Sequence, residues 1–472
     1  MLILRRVVFY TFLLMYLVLC PGLLLYASGY IFDPLTREVA RTGLIHLASI
    51  PPGAAVYLER SRFIQKTPAT LEKLYPGDYR VTIDLPGYRT WSQKVSVKPG
   101  KATAFDKVLL LPGNLSSKTV LEGGYKQIYP LPGTDLLLVA GSSELDNFQL
   151  YNIKEDKALP LVGAGSLWRS FSVISIYHED ESKSFIVYGG GLWERKYLLV
   201  NVKADVPVIT DITKLLARDP LLIEWDPLEP DQIFAIYPDA IDRINTAMAA
   251  IYPRDIEDVK GCGFQNNRVY LMTGDDRFIK YARDKARAEP FLLPERFDPR
   301  VLSRKVFYRI LAPEENRVFL LGENGSLLSN HPPYTITDKG VLGVKFYDHG
   351  RTFMSWTAST VAIFDAGDEK KGSKGGAGVK TVFRTGQDIR QCFWALDASH
   401  IVCNDNDRIL LIEVELQGEE HSEFIANIKK GTSIFYSNAT GCVYFLDEGG
   451  RFQRIQLVPP ENLVQKFLNE GD

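Results

Sequence analysis

Short strand-like apolar runs separated by polar turns fill most of the chain, and one long uncharged stretch stands apart from them. Val7 to Ser28, VVFYTFLLMYLVLCPGLLLYAS, carries no charge, and roughly 22 helical residues reach roughly 33 Å, enough to cross a bilayer. The pattern predicts one transmembrane helix over 7–28, with a kink at Pro21-Gly22 that membrane helices tolerate. Arg5 and Arg6 precede it, and only mixed charge follows (Asp33, Arg37, Glu38, Arg41). The positive-inside bias therefore places 1–6 in the cytoplasm and the C-terminal domains outside the cell membrane. A cleaved signal peptide is the competing reading, but the run is long for an h-region and no small-x-small site precedes Tyr26-Ala27-Ser28. Lipidation at Cys20 is disfavoured by the bulk of Leu19 before it.

After a short link over 29–42, period-two runs begin at Gly43 and are punctuated at Pro51-Pro52-Gly53, Pro76-Gly77, Pro86-Gly87 and Pro99-Gly100. Each of these pairs a fixed φ with a residue free to take positive φ, the chemistry of tight turns. Leu44, Leu47, Val56, Leu58, Tyr79, Val81, Ile83, Trp91, Val95, Val97, Val108 and Leu110 are the expected inward face of a small all-β domain over 43–112. Four motifs occur in order: Ser49-Ile50-Pro51-Pro52-Gly53-Ala54, Thr67-Pro68-Ala69, Leu74-Tyr75-Pro76-Gly77-Asp78-Tyr79 and Gly87-Tyr88-Arg89-Thr90-Trp91. With them this segment resembles the PEGA domain family; the departure is Pro52, where the family name implies Glu. The resemblance implies a transthyretin-like β-sandwich of envelope and surface-exposed prokaryotic proteins, without catalytic residues of its own.

Beyond Pro112 a hairpin pattern repeats. Asn267 to Tyr281 (NRVYLMTGDDRFIKY), Asn316 to Asn330 (NRVFLLGENGSLLSN) and Gly441 to Ile455 (GCVYFLDEGGRFQRI) are three copies of an apolar run, a polar turn and a second run. Weaker copies and short upstream strands such as Ile223 to Pro227, Tyr308 to Pro313 and Phe393 to Asp397 extend the unit to four strands. A four-stranded unit recurring at this period predicts a β-propeller over 113–460. About eight blades are expected, near 125–165, 166–212, 218–256, 257–295, 301–338, 341–386, 388–430 and 431–458, with a strand from 117–127 completing the last; seven is the alternative. A tail follows at 461–472. Asp365 to Lys380, DAGDEKKGSKGGAGVK, lacks apolar periodicity and reads as a solvated loop.

Composition adds mostly exclusions. Lys+Arg 55 against Asp+Glu 57 leaves a formal net charge of -2, so no basic field attracts nucleic acid. The five cysteines are too sparse for a disulfide scaffold and fit no zinc spacing. Cys392 and Cys403 flank a turn near Asp397 and Ala398, so they become a cross-strand disulfide or two small buried hydrophobes according to register, the second slightly ahead. His46, His178, His331, His349, His400 and His421 are scattered singly, and no nucleophile elbow, zinc helix, phosphate loop or dinucleotide fingerprint occurs. Glu179-Asp180-Glu181, the pair Asp405 and Asp407, Asp275-Asp276 and Glu448 are carboxylates expected in solvated turns rather than on a cation. Trp168, Trp193, Trp225, Trp356 and Trp394 are expected between blades more than on a ligand.

The expectation is thus an all-β chain after one transmembrane helix, with no catalytic, metal-binding or cofactor residues assigned and no cofactor. Its expected role is non-enzymatic: the membrane is one partner, through the N-terminal helix, and an envelope protein or glycan is the other, met by the propeller and not by nucleic acid. An exported propeller hydrolase or lyase and a surface-layer subunit are the alternatives.

Overall fold

The computed structural model describes residues 2–27, 29–32, 39–131, 134–141, 148–160, 173–178, 184–190, 195–201, 208–226, 229, 231–265, 268–282, 285–290, 297, 300–303, 305–314, 317–347, 351–365, 378–414 and 420–459. The expected tail at 461–472 and the carboxylates Glu179-Asp180-Glu181 lie outside them, as do Trp168, Trp193 and His349. The chain separates into two compact units, one of 1–116 with 413–421 and 457–472, the other of 117–412 with 422–456.

In the first unit a single helix, Leu2–Ala27, covers the apolar run as far as Ala27, Pro21 included, and Ser28 lies outside the described residues. Its stretch Arg5–Ala27 is long and apolar enough to cross a membrane, and its large side chains, among them Phe9 and Leu14, are exposed around the whole circumference. Within the link that follows, Tyr30–Phe32 pairs antiparallel with Val39–Arg41.

The PEGA segment is a two-sheet sandwich. One sheet places Gly43–Ile50 between Ala69–Leu74 and Ala102–Leu109; the other runs Ser61–Lys66, Ala55–Leu58, Gly77–Asp84, Trp91–Val97. Alternation decides what is buried. Ile45, Leu47, Val56, Val81, Ile83, Trp91, Val95, Val97, Phe105, Val108 and Leu110 form one core. Leu44 was expected to face inward, but the strand's phase is set by Ile45 and Leu47, and Leu44 is only half-buried on the other side. Leu58 and Tyr79 pack against the core while remaining partly exposed.

The motifs hold one another in place. Thr67 Oγ1 meets Ser49 Oγ at 2.6 Å and accepts from the Ala54 amide at 2.9 Å, while the Gly53 amide donates to the Thr67 carbonyl and the Thr67 amide to the Ala54 carbonyl. Gly87, at φ 87, accepts from the Gly113 amide at 2.8 Å and thereby ties the third turn to the end of the last strand. Pro52, the departure from the family pattern, is an exposed turn residue.

The second unit is built of eight four-stranded antiparallel meanders among the described residues, spanning 127–160, 173–211, 222–257, 259–290, 308–337, 343–384, 389–427 and 435–456 with 118–121. The first strand of the unit completes the last blade: Lys118–Leu121 pairs with Phe452–Gln456. That closure joins the two ends of the unit and covers an edge that would otherwise lie open. First strands are innermost, since those of neighbouring blades contact each other. In the fourth and fifth blades they pair directly and in parallel, Gly261 with Tyr308 and Cys262 with Arg309. Glycine is required for this approach: a Cβ on Gly263 would lie 2.1 Å from the Ile310 carbonyl oxygen.

Between blades the facing side chains interdigitate. Tyr125, Ile128, Tyr151, Tyr444 and Phe452 form the core between the eighth and first blades, and Trp225 belongs to the core between the second and third. The segment expected to be a loop over 365–380 is shorter than that, because Gly378–Arg384 is the outer strand of the sixth blade. Residues 366–377 lie outside the described residues.

Candidate binding site

The sixth, seventh and eighth blades converge on a cavity of about 410 Å³, at the ends where their inner strands and that of the first blade begin. Its floor and sides are set by cross-blade bonds. Gln127 donates through Nε2 to the Gly431 carbonyl at 3.3 Å and accepts through Oε1 from the Ser433 amide at 2.6 Å. Gln391 accepts through Oε1 from the Ile434 amide at 2.9 Å. Both glutamine side chains therefore staple one blade to the next. Among the described residues Gln391 Nε2 has no bond of its own.

Arg390 owes its direction to an irregularity in the ladder. In the strand Ile389–Ala395, Ile389 lies opposite Asp405 and Gln391 opposite Asn404, so Arg390 is the extra residue of a β-bulge. Bulges bend the strand and re-aim the unpaired side chain. Here the bulged residue lines the cavity and is exposed. Its carbonyl is anchored by the indole of Trp356, Nε1 to O at 3.2 Å. The Trp356 ring can reach across because residue 343 is glycine: a Cβ there would stand 2.2 Å from the ring. Among the described residues no carboxylate comes within ion-pairing range of Arg390, although Asp388 lines the same cavity.

The fourth blade offers the contrast. Lys260 occupies a bulge between Val259 and Gly261, but its Nζ is 2.6 Å from Asp276 Oδ1, and the lysine side chain is buried. One bulge cation is neutralised by a turn carboxylate of its own blade, whereas the Asn406-Asp407 turn of the seventh blade sends none to Arg390.

Of the carboxylates expected in solvated turns, Asp275, Asp276, Asp407 and Glu448 are exposed there, whereas Asp405 is structural. Asp405 is fully buried, accepts from Thr385 Oγ1 at 3.1 Å and pairs with Arg408, which fixes the loop leading into the seventh blade. Asp275 is held down to about 2 by its bonds from Arg277 and Thr273. Among the described residues no group of histidine, cysteine and carboxylate side chains is arranged to hold a metal ion. The histidines are not drawn together: His46 Nδ1 bonds Thr70 Oγ1 at 2.9 Å, and His400 Nδ1 bonds Ser399 Oγ at 2.9 Å.

Trp225, Trp356 and Trp394 are buried, as expected of residues between blades. Trp394 donates to the Lys345 carbonyl at 3.0 Å, so the sixth and seventh blades are tied by a tryptophan in each direction. Lys345 was not singled out by any sequence pattern. Its Nζ lies 3.5 Å from the Phe393 ring centroid, and burial pushes its pKa down to about 8. Among the described residues it has no carboxylate partner.

In the seventh blade the expected hairpin places Cys392 directly opposite Cys403, with Cα atoms 4.3 Å apart, and the two are joined as a disulfide. That spacing is typical of a non-hydrogen-bonded antiparallel pair, where side chains approach most closely. Of the two readings the register left open, the structure has the cross-linked one. Cys262 and Cys442 are buried thiols, and burial raises the pKa of both.

The PEGA domain family matches residues 42–110. Among solved structures the chain is similar to the Cps50 (Swd1) β-propeller domain of Myceliophteria thermophila, with 11% identity and a TM-score of 0.42, over 73% of this chain and 99% of that one. A likeness at that level carries no argument about function. No curated protein matches the sequence.

Proposed function

We propose that the protein is a membrane-anchored, non-catalytic recognition module of the cell envelope, in which the propeller binds an extracellular glycan or protein at the mouth formed by its inner-strand ends. The observation that carries this reading is the character of the cavity. Arg390, Gln391 Nε2, Ser433 Oγ and Asp388 are available for a ligand, while the other polar groups of the wall hold the blades together. Available donors and acceptors on a rigid frame suit reversible recognition, and the described lining residues include no nucleophile bonded to a base. In chain order the PEGA domain lies between the helix and the propeller, the place of a spacer or docking module.

Topology follows from two further supports. Arg5 and Arg6 favour a cytoplasmic N-terminus, and the joined Cys392 and Cys403 suit an oxidising compartment. Protease added to intact cells should then remove both units, and their protection would overturn the orientation. For recognition, full-length protein in nanodiscs should retain a component of the envelope. Leu342→Trp, at an exposed residue of the cavity wall, should abolish retention by filling the site. Unchanged retention by L342W would remove the mouth as the recognition face.

A further inference from the structure

We infer that the ligand at the propeller mouth is a carboxylated sugar, a uronic acid unit of a polysaccharide, with the Arg390 guanidinium on its carboxylate and Asp388 on its ring hydroxyls. This deepens the recognition reading and rests on it. The guanidinium presents a planar fork of donors that matches a carboxylate in two parallel bonds. Arg390 is the one of the two bulge cations described above that lacks an anion of its own. A bulge anchored through Trp356 holds that fork at the cavity instead of leaving it free in solvent. Gln391 Nε2 adds neutral donors beside it, and Ser433 Oγ a hydroxyl.

The remaining lining supplies the complement for a sugar rather than for a bare anion. An ionised Asp388 only accepts hydrogen bonds, and sugar hydroxyls donate them; Leu342, Ala358 and Ile389 offer apolar surface for the C–H face of a ring. A run of acidic peptide would satisfy Arg390 but bring Asp388 no hydroxyl donors to accept from. A cavity of about 410 Å³ lies at the small end of ligand pockets, the scale of a few rings and not of a folded partner. Lys126 and Lys430, next in sequence to the lining residues Gln127 and Gly431, are exposed and neither is ion-paired among the described residues. They are available to further anionic units of a polymer.

Full-length protein in nanodiscs is titrated calorimetrically with an oligogalacturonate, with the same oligomer methyl-esterified, and with oligoglutamate. The acid should bind and the ester, which keeps every ring hydroxyl, should not. Arg390→Gln should weaken the acid roughly 10- to 100-fold, the worth of a charge-assisted bond, and Arg390→Lys should fall between. The Arg390 side chain is exposed, so both variants should unfold at the wild-type temperature. Asp388→Asn should weaken the sugar while leaving any oligoglutamate binding unchanged. Equal binding of the ester, or tighter binding of oligoglutamate with no effect of Asp388→Asn, overturns the inference. So does an absence of oligogalacturonate binding by protein that still retains an envelope component which L342W loses; in that case recognition stands and only the ligand class fails.

Discussion

The cross-link between Cys392 and Cys403 gives a test that reaches from strand register to cellular compartment. The pair is separated by 11 residues, fully buried, and sits in the two innermost strands of the seventh blade. Closing a loop of that size removes chain entropy from the unfolded state worth about 3 kcal/mol. Replacing both cysteines by alanine also deletes two buried sulfur atoms, each roughly equivalent to a methylene, for about 1 kcal/mol apiece. The double variant should therefore lose about 5 kcal/mol, and reduction alone about 3 kcal/mol. Because a chain of two units need not unfold in one step, the measurement should be local. Native-state hydrogen exchange of Ile389–Ala395 and His400–Asp405, with and without reductant, isolates the blade. The same sample, alkylated without reduction and weighed by mass spectrometry, counts free thiols. Two alkylated cysteines at 392 and 403 in protein recovered from the envelope would refute the cross-link, and equal exchange in both redox states would refute the stated magnitude.

Two further outcomes follow from burial. Trp91 is 2% exposed and packs edge-on against Phe105 at 5.5 Å, so Trp91→Ala should cost the PEGA sandwich roughly 3 to 5 kcal/mol in chemical denaturation, and a loss under about 1 kcal/mol would contradict its place in the core. Lys345 has its pKa lowered to about 8 from 10.5, so the unfolded chain binds more protons between those values and this residue's contribution to stability rises with pH across that window. Lys345→Met should accordingly be more stable than wild type at pH 7, by at most roughly 3 kcal/mol, with the advantage shrinking from about pH 8 and gone above about pH 10.5. A difference independent of pH would show the ammonium to be solvated.

The repeat was legible because each blade carries its own turn chemistry. Residues such as Gly274-Asp275-Asp276 and Glu448-Gly449-Gly450 mark where adjacent strands reverse, and eight such units fall close to the expected boundaries. The closing strand was legible for a related reason, since the last repeat was one strand short and 117–127 had none to pair with locally. The PEGA motifs were legible as motifs, and the structure supplies their cause: Thr67 Oγ1 bonds both Ser49 Oγ and the Ala54 amide. Phase was harder. A period-two pattern tolerates a slip of one residue where neighbours are all apolar, as in Leu44-Ile45, and only packing against the opposite sheet decides which side chain turns inward.

The candidate site was not legible, and the reason is physical. Arg390 lies in an apolar strand beside residues whose pattern predicts burial on one face and solvent on the other, which gives it no distinction from any exposed arginine. A bulge changes that by giving one residue no partner, and nothing in RQCFWA announces which residue the ladder will skip. The skipped position is selected by contacts remote in sequence: Trp356 takes the Arg390 carbonyl from the sixth blade, and Gly343 leaves room for its ring. The charge state of the site is remote as well. Lys260 and Arg390 look alike as single cations near the start of an inner strand, but Lys260 is buried against the carboxylate of the following hairpin, Asp276, whereas Asn406-Asp407 sends none to the exposed Arg390. A propeller built from similar hairpins can therefore turn one of its blade starts into an anion receptor by changing a turn residue in the adjacent strand pair, without altering the frame that holds the receptor in place.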